Sequence, residues 1–259
     1  MKFNHLRNAT ALIEYAGKTF LIDPMLSEKG ALPPMGEGGV PAPAPRMDQR
    51  NPLQELPVSV EDVVSKADAV IVTHLHPDHW DAAAVEALPK DIAVFTQNDE
   101  DKNVVAEAGF TNVTPLSNDT AFEGISLIKT QGEHGRGEIL QAAGLVCGVV
   151  FKHEDEKTLY LAGDTVWYDG VEEEIKSHNP DVIVVNAGDN QFLVGGSLVM
   201  KEDDVLEVSK AAPEADIVAV HMEAVNHWNL SKADLKAYAE DKGFSDKLTV
   251  PENGDTLEF

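Results

Sequence analysis

Short apolar runs recur along the whole chain, separated by polar or glycine-bearing segments. Residues 9–16 (ATALIEYA) and 18–23 (KTFLID) flank Gly17 and predict a β-hairpin. Further runs lie at 69–73 (AVIVT), 92–96 (IAVFT), 126–130 (SLIKT), 145–151 (LVCGVVF), 158–162 (TLYLA), 182–186 (VIVVN) and 217–220 (IVAV). Several are rich in β-branched residues and end on a polar residue or glycine, the signature of buried strands. Helical patterns fall between them. Residues 59–66 open on Ser59 with Asp62 three positions on, a loose capping box. Residues 169–178, 201–211 and 231–242 also read as helices, the last ending at Gly243. Two short strands close the chain, at 248–250 and 256–259. Strands first, then alternating helices and strands, predict an α/β fold of two sheets with helices outside, in one domain spanning 1–259.

One stretch breaks the pattern. Residues 24–57 hold eight of the 14 prolines, at positions 24, 33, 34, 41, 43, 45, 52 and 57, and four glycines. A loop this long in a compact domain is usually functional. It leaves the strand that ends at Asp23, so we expect a lid over whatever lies there.

Composition adds little until charge is counted. With 259 residues, 43% hydrophobic and 25% charged, the chain is ordinary for a globular protein. Its 45 acidic against 20 basic residues give a formal net charge of −25. Such a surface repels phosphate backbones and anionic lipid, which argues against nucleic-acid and membrane partners. The lone Cys147 allows no intrachain disulfide. The N-terminal residues lack the apolar core of a signal peptide, and no apolar run approaches the length of a membrane span. The expected location is cytoplasmic.

The informative segment is 73–80, THLHPDHW, directly after a predicted strand. It gathers His74, His76, Asp78 and His79. In an extended chain residues two apart share a face, so His74 and His76 point the same way. Pro77 turns the chain and lets Asp78 and His79 fold back. Imidazole with carboxylate is a ligand set for zinc and similar divalent ions. Four such groups in six residues suit two adjacent ions better than one. More candidates follow later strands: His134 in QGEHGRG, Asp164 in AGDT and His221 in VHMEAVNHW. Sites in sheet proteins gather where strands end.

In this order, THLHPDH, His134, the GDT at 163–165 and His221 resemble the metallo-β-lactamase superfamily of hydrolases, over residues 1 to about 225. The opening ATALIEYAGKTFLIDP also resembles the branch holding the phosphorylated-ascorbate lactonases and the N-acyl-phosphatidylethanolamine phosphodiesterases. The resemblance implies an αβ/βα four-layer sandwich with the site at one edge. It implies that His74, His76 and His134 hold one metal and that Asp78, His79 and His221 hold a second. Asp164 would bridge them, and Asp23 would support the histidine loop from behind. The cofactors so implied are two divalent ions, zinc to suit the histidines or manganese as in the lactonase branch.

Two ions sharing a hydroxide would supply a nucleophile near neutral pH. His227, with Asp78 second, is the expected acid for the leaving group, and Asp164 completes the catalytic set. The chain has four arginines, Arg7, Arg46, Arg50 and Arg136. Arg46, Arg50 and Arg136, with Asn226 and Trp167, are the candidates for holding substrate, since a guanidinium fork suits phosphate or carboxylate. The expected activity is therefore hydrolysis of a small anionic ester, lactone or phosphodiester. A phosphodiesterase on a larger substrate and an iron-dependent redox enzyme on the same fold are the alternatives, and a homo-oligomer is left open.

Overall fold

The computed structural model describes residues 1–36 and 46–259. The N-terminal half builds one sheet from β1 (Lys2–Arg7), β2 (Thr10–Tyr15), β3 (Lys18–Ile22), β4 (Ala69–Val72), β5 (Ala93–Thr96) and β6 (Val113–Pro115). The second half builds another from β7 (Ala121–Phe122), β8 (Ile125–Gln131), β9 (Cys147–Lys152), β10 (Leu159–Leu161), β11 (Val182–Asn186), β12 (Asp216–Val220) and β13 (Leu248–Thr249). The chain then returns as β14 (Thr256–Glu258) to pair with β1, giving the orders β14-β1-β2-β3-β4-β5-β6 and β13-β12-β11-β10-β9-β8-β7. Both sheets are mixed. β3 to β6 run parallel after an antiparallel meander, and β10 to β13 run parallel after another.

The alternation of side chains explains the layering. In β4, Ala69 and Ile71 join the core between the sheets, whereas Val70 and Val72 join the cluster outside the first sheet. The central core packs Phe3, Ile13, Phe20 and Ile71 against Leu127, Val149, Phe151 and Val218. Outside the first sheet, Leu12, Leu21, Val70 and Val72 cluster with Val63 of α1 (Val60–Val64), Ala84 of α2 (Ala82–Ala87) and Val105 of α3 (Asp99–Glu107). Of the later helices, α4 (Glu138–Ala143) buries no residue. Outside the second sheet, Tyr160, Ile183 and Ile217 cluster with Ile175 of α5 (Asp169–His178), Val205 of α6 (Glu202–Ala211) and Leu235 of α7 (Lys232–Lys242). Each fully buried aliphatic contributes about 1.5–3 kcal/mol. The result is the expected four-layer αβ/βα sandwich. No helix among the described residues is long and apolar enough to cross a membrane.

Several elements depart from the sequence reading. β1 was not expected, because KFNHLR holds only two apolar residues, Phe3 and Leu6, at a spacing that breaks strand alternation, yet His5 and Arg7 are buried in it. Helices α2, α3 and α4 were also unforeseen. The strand expected at 145–151 begins only at Cys147, and Leu145 is 74% exposed. Of the expected lid at 24–57, residues 37–45 lie outside the described residues. The remainder is tied down at both ends. The buried Arg7 guanidinium donates to the carbonyls of Met25 (2.6 Å), Ser27 (2.8 Å) and Gln54 (3.0 Å). Leu32 and Asn51 form a short bridge, and Met35 and Gly36 reach the wall of the cavity described next.

Candidate metal centre

Four strand ends deliver the predicted residues to one place. β4 ends into the histidine loop, β8 into His134, β10 into Asp164 and β12 into His221. The loop after β4 turns tightly: both His79 N and Trp80 N donate to the His76 carbonyl at 2.9 Å. That turn lays the rings of His74 and His76 4.4 Å apart, with His79 4.1 Å from His74 on the other side. Three trios of ligand atoms result, each within 4.8 Å: His74, His76 and His134; His74, His79 and Asp164; Asp78, His79 and His221. Asp164 sits between them, its carboxylate 3.2 Å from His79 Nε2, 3.7 Å from His134 Nε2, 3.7 Å from His221 Nε2 and 3.8 Å from His74 Nε2.

The backbone is bent to reach this arrangement. Asn8, Asp23 and His221 all adopt left-handed φ, of 58°, 43° and 61°. Asn, Asp and His are the non-glycine residues that most often adopt this conformation, at about 1 kcal/mol or more each. Gly163 also has positive φ (70°), and a Cβ there would strike the Cys147 carbonyl, so only glycine can deliver Asp164.

A shell of acceptors behind the histidines fixes their tautomers. His79 Nδ1 donates to Asp23 Oδ2 (2.8 Å), His134 Nδ1 to the Leu198 carbonyl (2.9 Å) and His221 Nδ1 to Asn190 Oδ1 (3.3 Å). Thr73 Oγ1 donates to Asp23 Oδ2 (2.8 Å), which leaves its lone pair to accept from His74 Nδ1 (3.2 Å). With Nδ1 engaged, each of these four rings turns Nε2 towards the cluster. Asn186 Nδ2 holds Asp164 Oδ1 at 2.6 Å, and Asn8 Nδ2 holds Asp78. Asn8, Thr73, Asn186 and Asn190 were not singled out from the sequence. Asn186 and Thr73 each end a predicted strand, as Asp23 does, and that is the local signal they carry.

The electrostatics call for a cation. Burial alone would raise the carboxyls of Asp78 and Asp164, yet the charge of His79 holds both well below the usual range. Burial likewise opposes the charge on His79, but Asp164, Asp78 and Asp23 hold it well above an ordinary imidazole. Burial and the neighbouring His79 push His74 far down, and its Nε2 is buried with no hydrogen-bond partner. His79 Nε2 and His221 Nε2 face each other at only 3.2 Å. Inward-turned nitrogens, an orphaned lone pair and buried carboxylates fit divalent metal ions, which would take the place of the shared protons.

Above the cluster opens a cavity of about 380 Å³. His76, Asp78, His134, Asp164 and His221 form its floor, and Met35, Pro77, Ile139, Ala142, Ala143, Phe192 and Leu198 supply the apolar part of its wall. His227 lines it too, stacked flat on Phe192 at 5.1 Å. His227 is the residue the sequence offered as the leaving-group acid, and burial pushes it down to about 4.

The expected substrate-holding residues lie elsewhere. Arg46 stacks on Trp228 (3.6 Å) and donates to its carbonyl. Arg50 donates to the Gly30 and Ala31 carbonyls, both at 2.7 Å. Arg136 donates to the Trp167 carbonyl (2.7 Å) and pairs with Asp204 (3.3 Å), while Trp167 packs on the outer core of the second sheet. Asn226 is fully buried, where it holds Met35 and Asn51. None of these five lines the cavity. Carbonyl-rich loops nearby take up the guanidinium donors, which a sequence does not reveal.

Comparison with known proteins agrees with this geometry. Residues 18–222 match the Beta-lactamase superfamily domain. The chain is 54% identical, over 100% of both chains, to the UPF0173 protein YddR of Bacillus subtilis (strain 168). It is 25% identical over 100% of both chains to a UPF0173 metal-dependent hydrolase of Pelotomaculum thermopropionicum. Among solved structures, an isothiocyanate hydrolase from Delia radicum gut bacteria superposes with a TM-score of 0.93 at 41% identity, covering 100% of this chain and 99% of that one. A possible metal-dependent hydrolase from Veillonella parvula also reaches 0.93, at 38% identity over 99% and 98%. The buried His/Asp cluster at the strand ends of a four-layer sandwich, and these likenesses over the full chain, place the protein in the beta-lactamase superfamily, within its UPF0173 metal-dependent hydrolase family.

Proposed function

We propose that the protein hydrolyses a small, uncharged isothiocyanate, using two divalent metal ions held in the adjoining trios. The observation that carries this reading is the cavity: among the described residues, no arginine or lysine lines it, and its wall is mostly apolar, with Asn190 and His227 as the polar exceptions. An anionic phosphodiester or sugar-acid lactone would have only the metal ions as cationic partners there, with no guanidinium or ammonium group to hold charge placed away from them. A neutral electrophile with an alkyl or aryl group suits a wall of Ile139, Phe192 and Leu198. The 41% identity to an isothiocyanate hydrolase supports the same choice.

His74, His76 and His134 would hold one ion, Asp78, His79 and His221 the other, with Asp164 between them. When bound, such ions supply Lewis acidity and lower the pKa of water towards neutrality. The chain does the rest. Asn186 fixes Asp164, and Asp23 fixes His79, so the donor set is in place before substrate arrives. The apolar wall excludes competing water. Asp78 belongs to the trio with His79 and His221 and also lines the cavity, so we assign its carboxylate the transfer of a proton from water to the substrate nitrogen. Water adds to the central carbon of R–N=C=S to give a thiocarbamic acid. That acid then parts into an amine and carbonyl sulfide.

The test is a substrate panel with the metal-loaded protein: phenethyl isothiocyanate, a bis-aryl phosphodiester and a phosphorylated sugar lactone. Loss of isothiocyanate absorbance with amine release is expected, falling by more than about 100-fold in Asp164→Ala. Faster turnover of the phosphodiester or the lactone would overturn the reading. Elemental analysis should find close to two ions of zinc or manganese per chain.

A further inference from the structure

One side of the cavity is the helix α4, which buries no residue in the core. Its Ile139, Ala142 and Ala143 line the cavity at i, i+3 and i+4, so a single helix face looks onto it. Ile139 and Ala143 are half-buried and Ala142 is exposed, which gives the face an inner and an outer end. From Ile139 to Ala143 it runs about 6 Å, four steps of ~1.5 Å along the helix axis. An apolar face that meets no core side chain gains nothing until something apolar covers it.

The helix is fastened where it stands. Before it, Arg136 donates to the Trp167 carbonyl and pairs with Asp204. After it, the Leu145 carbonyl accepts from Gln97 Nε2 at 2.8 Å. Between these ties Ile139 is gripped by two glycines. A Cβ at Gly135 would stand 2.5 Å from Ile139 Cγ2, and one at Gly195 would stand 2.7 Å from Ile139 Cβ. Gly135 follows His134, so Ile139 is seated beside the metal centre while Ala142 reaches the rim. Six residues are too few to hold a helix by themselves, so these fastenings decide where the wall stands.

We infer that α4 selects the organic group of the substrate by size, with Ile139 as the inner contact and the small Ala142 and Ala143 leaving room for a group as large as phenethyl. The inference rests on the isothiocyanate reading above. A cavity of about 380 Å³ lies at the lower end of the ~300–1,000 Å³ usual for small-molecule sites. A methyl group leaves most of that space to water, whereas a phenethyl group covers the α4 face. Each methylene laid against the face leaves water and strengthens binding about fourfold. The contact lies away from the reacting carbon and is the same in ground and transition states, so it lowers KM and leaves kcat alone.

The test is a ladder of methyl, propyl, butyl and phenethyl isothiocyanates with the metal-loaded protein, beside calorimetric binding of the matching unreactive N-substituted thioureas. In the wild type we expect kcat/KM to rise about fourfold per methylene, through KM. Ala142→Phe and Ala143→Leu fill the room on the α4 face. The phenethyl-to-methyl ratio of kcat/KM should fall about 10–100-fold in them. The thiourea ladder should flatten in step, with metal content by elemental analysis equal to that of the wild type. Because Ala142 is exposed, a larger side chain there has room to turn outward; the half-buried Ala143 supplies the second readout. Ratios equal to the wild type in both variants, or flat ladders in the wild type, would overturn the assignment of α4. A thiourea ladder that rises in the wild type and flattens in the variants, without isothiocyanate turnover by the wild type, would sustain it and overturn the proposed reaction.

Discussion

Asp23 shows how one side chain can serve a whole centre. Its two oxygens accept from Thr73 N (2.7 Å), Thr73 Oγ1 (2.8 Å) and His79 Nδ1 (2.8 Å). It thereby sets the start of the histidine loop and the tautomer of His79 together. In Asp23→Asn an NH₂ group must oppose at least one of these donors. We expect the affinity of the Asp78–His79–His221 trio for zinc to fall about 10–100-fold, with His74, His76 and His134 less affected. Competition with a chelating dye would resolve two unequal classes of ion. Unchanged affinity for both would show that Asp23 only supports the fold.

At the scale of elements, the site depends on short segments being locked at both ends. Asp81 caps α2 by accepting from Ala84 N (2.8 Å), and it also accepts from Ser27 N (2.8 Å), where the long loop leaves β3. The carboxylate is 3% exposed. Removing it unfastens a helix cap and leaves a buried amide unpaired, so Asp81→Ala should cost about 2–3 kcal/mol. Urea unfolding with an unchanged slope and a lower midpoint would confirm the figure. A loss below about 0.5 kcal/mol would mean water replaces both bonds.

For the molecule as a whole, the charge of −25 matters more than any single pair. Ion pairs such as Lys2 with Glu14 and Lys176 with Glu172 are exposed and contribute little each. Self-repulsion of the acidic surface destabilises the compact state and is screened by salt. Raising NaCl from about 20 mM to about 500 mM should therefore stabilise the protein by about 1–2 kcal/mol, or ~2–4 °C in Tm per kcal/mol. A falling Tm over that range would show that attractive pairs dominate the surface.

The chain alone determined most of the strands, the two-sheet architecture and the seven His and Asp candidates, because each was written in local sequence: β-branched runs, a turn at Pro77, ligands just past strand ends. What faced those residues was decided only by tertiary structure. Asn190 lies 31 positions from His221, Asn186 lies 22 from Asp164, and Asn8 lies 70 from Asp78. No spacing rule connects them, since their roles arise from juxtaposition across two sheets. The arginines show the converse. Their charge suggested an anionic substrate, but folding placed loop carbonyls around their guanidinium groups and left the cavity without a basic side chain among the described residues. Residue type fixes which chemistry is available; the packing of distant segments fixes which groups remain free to use it.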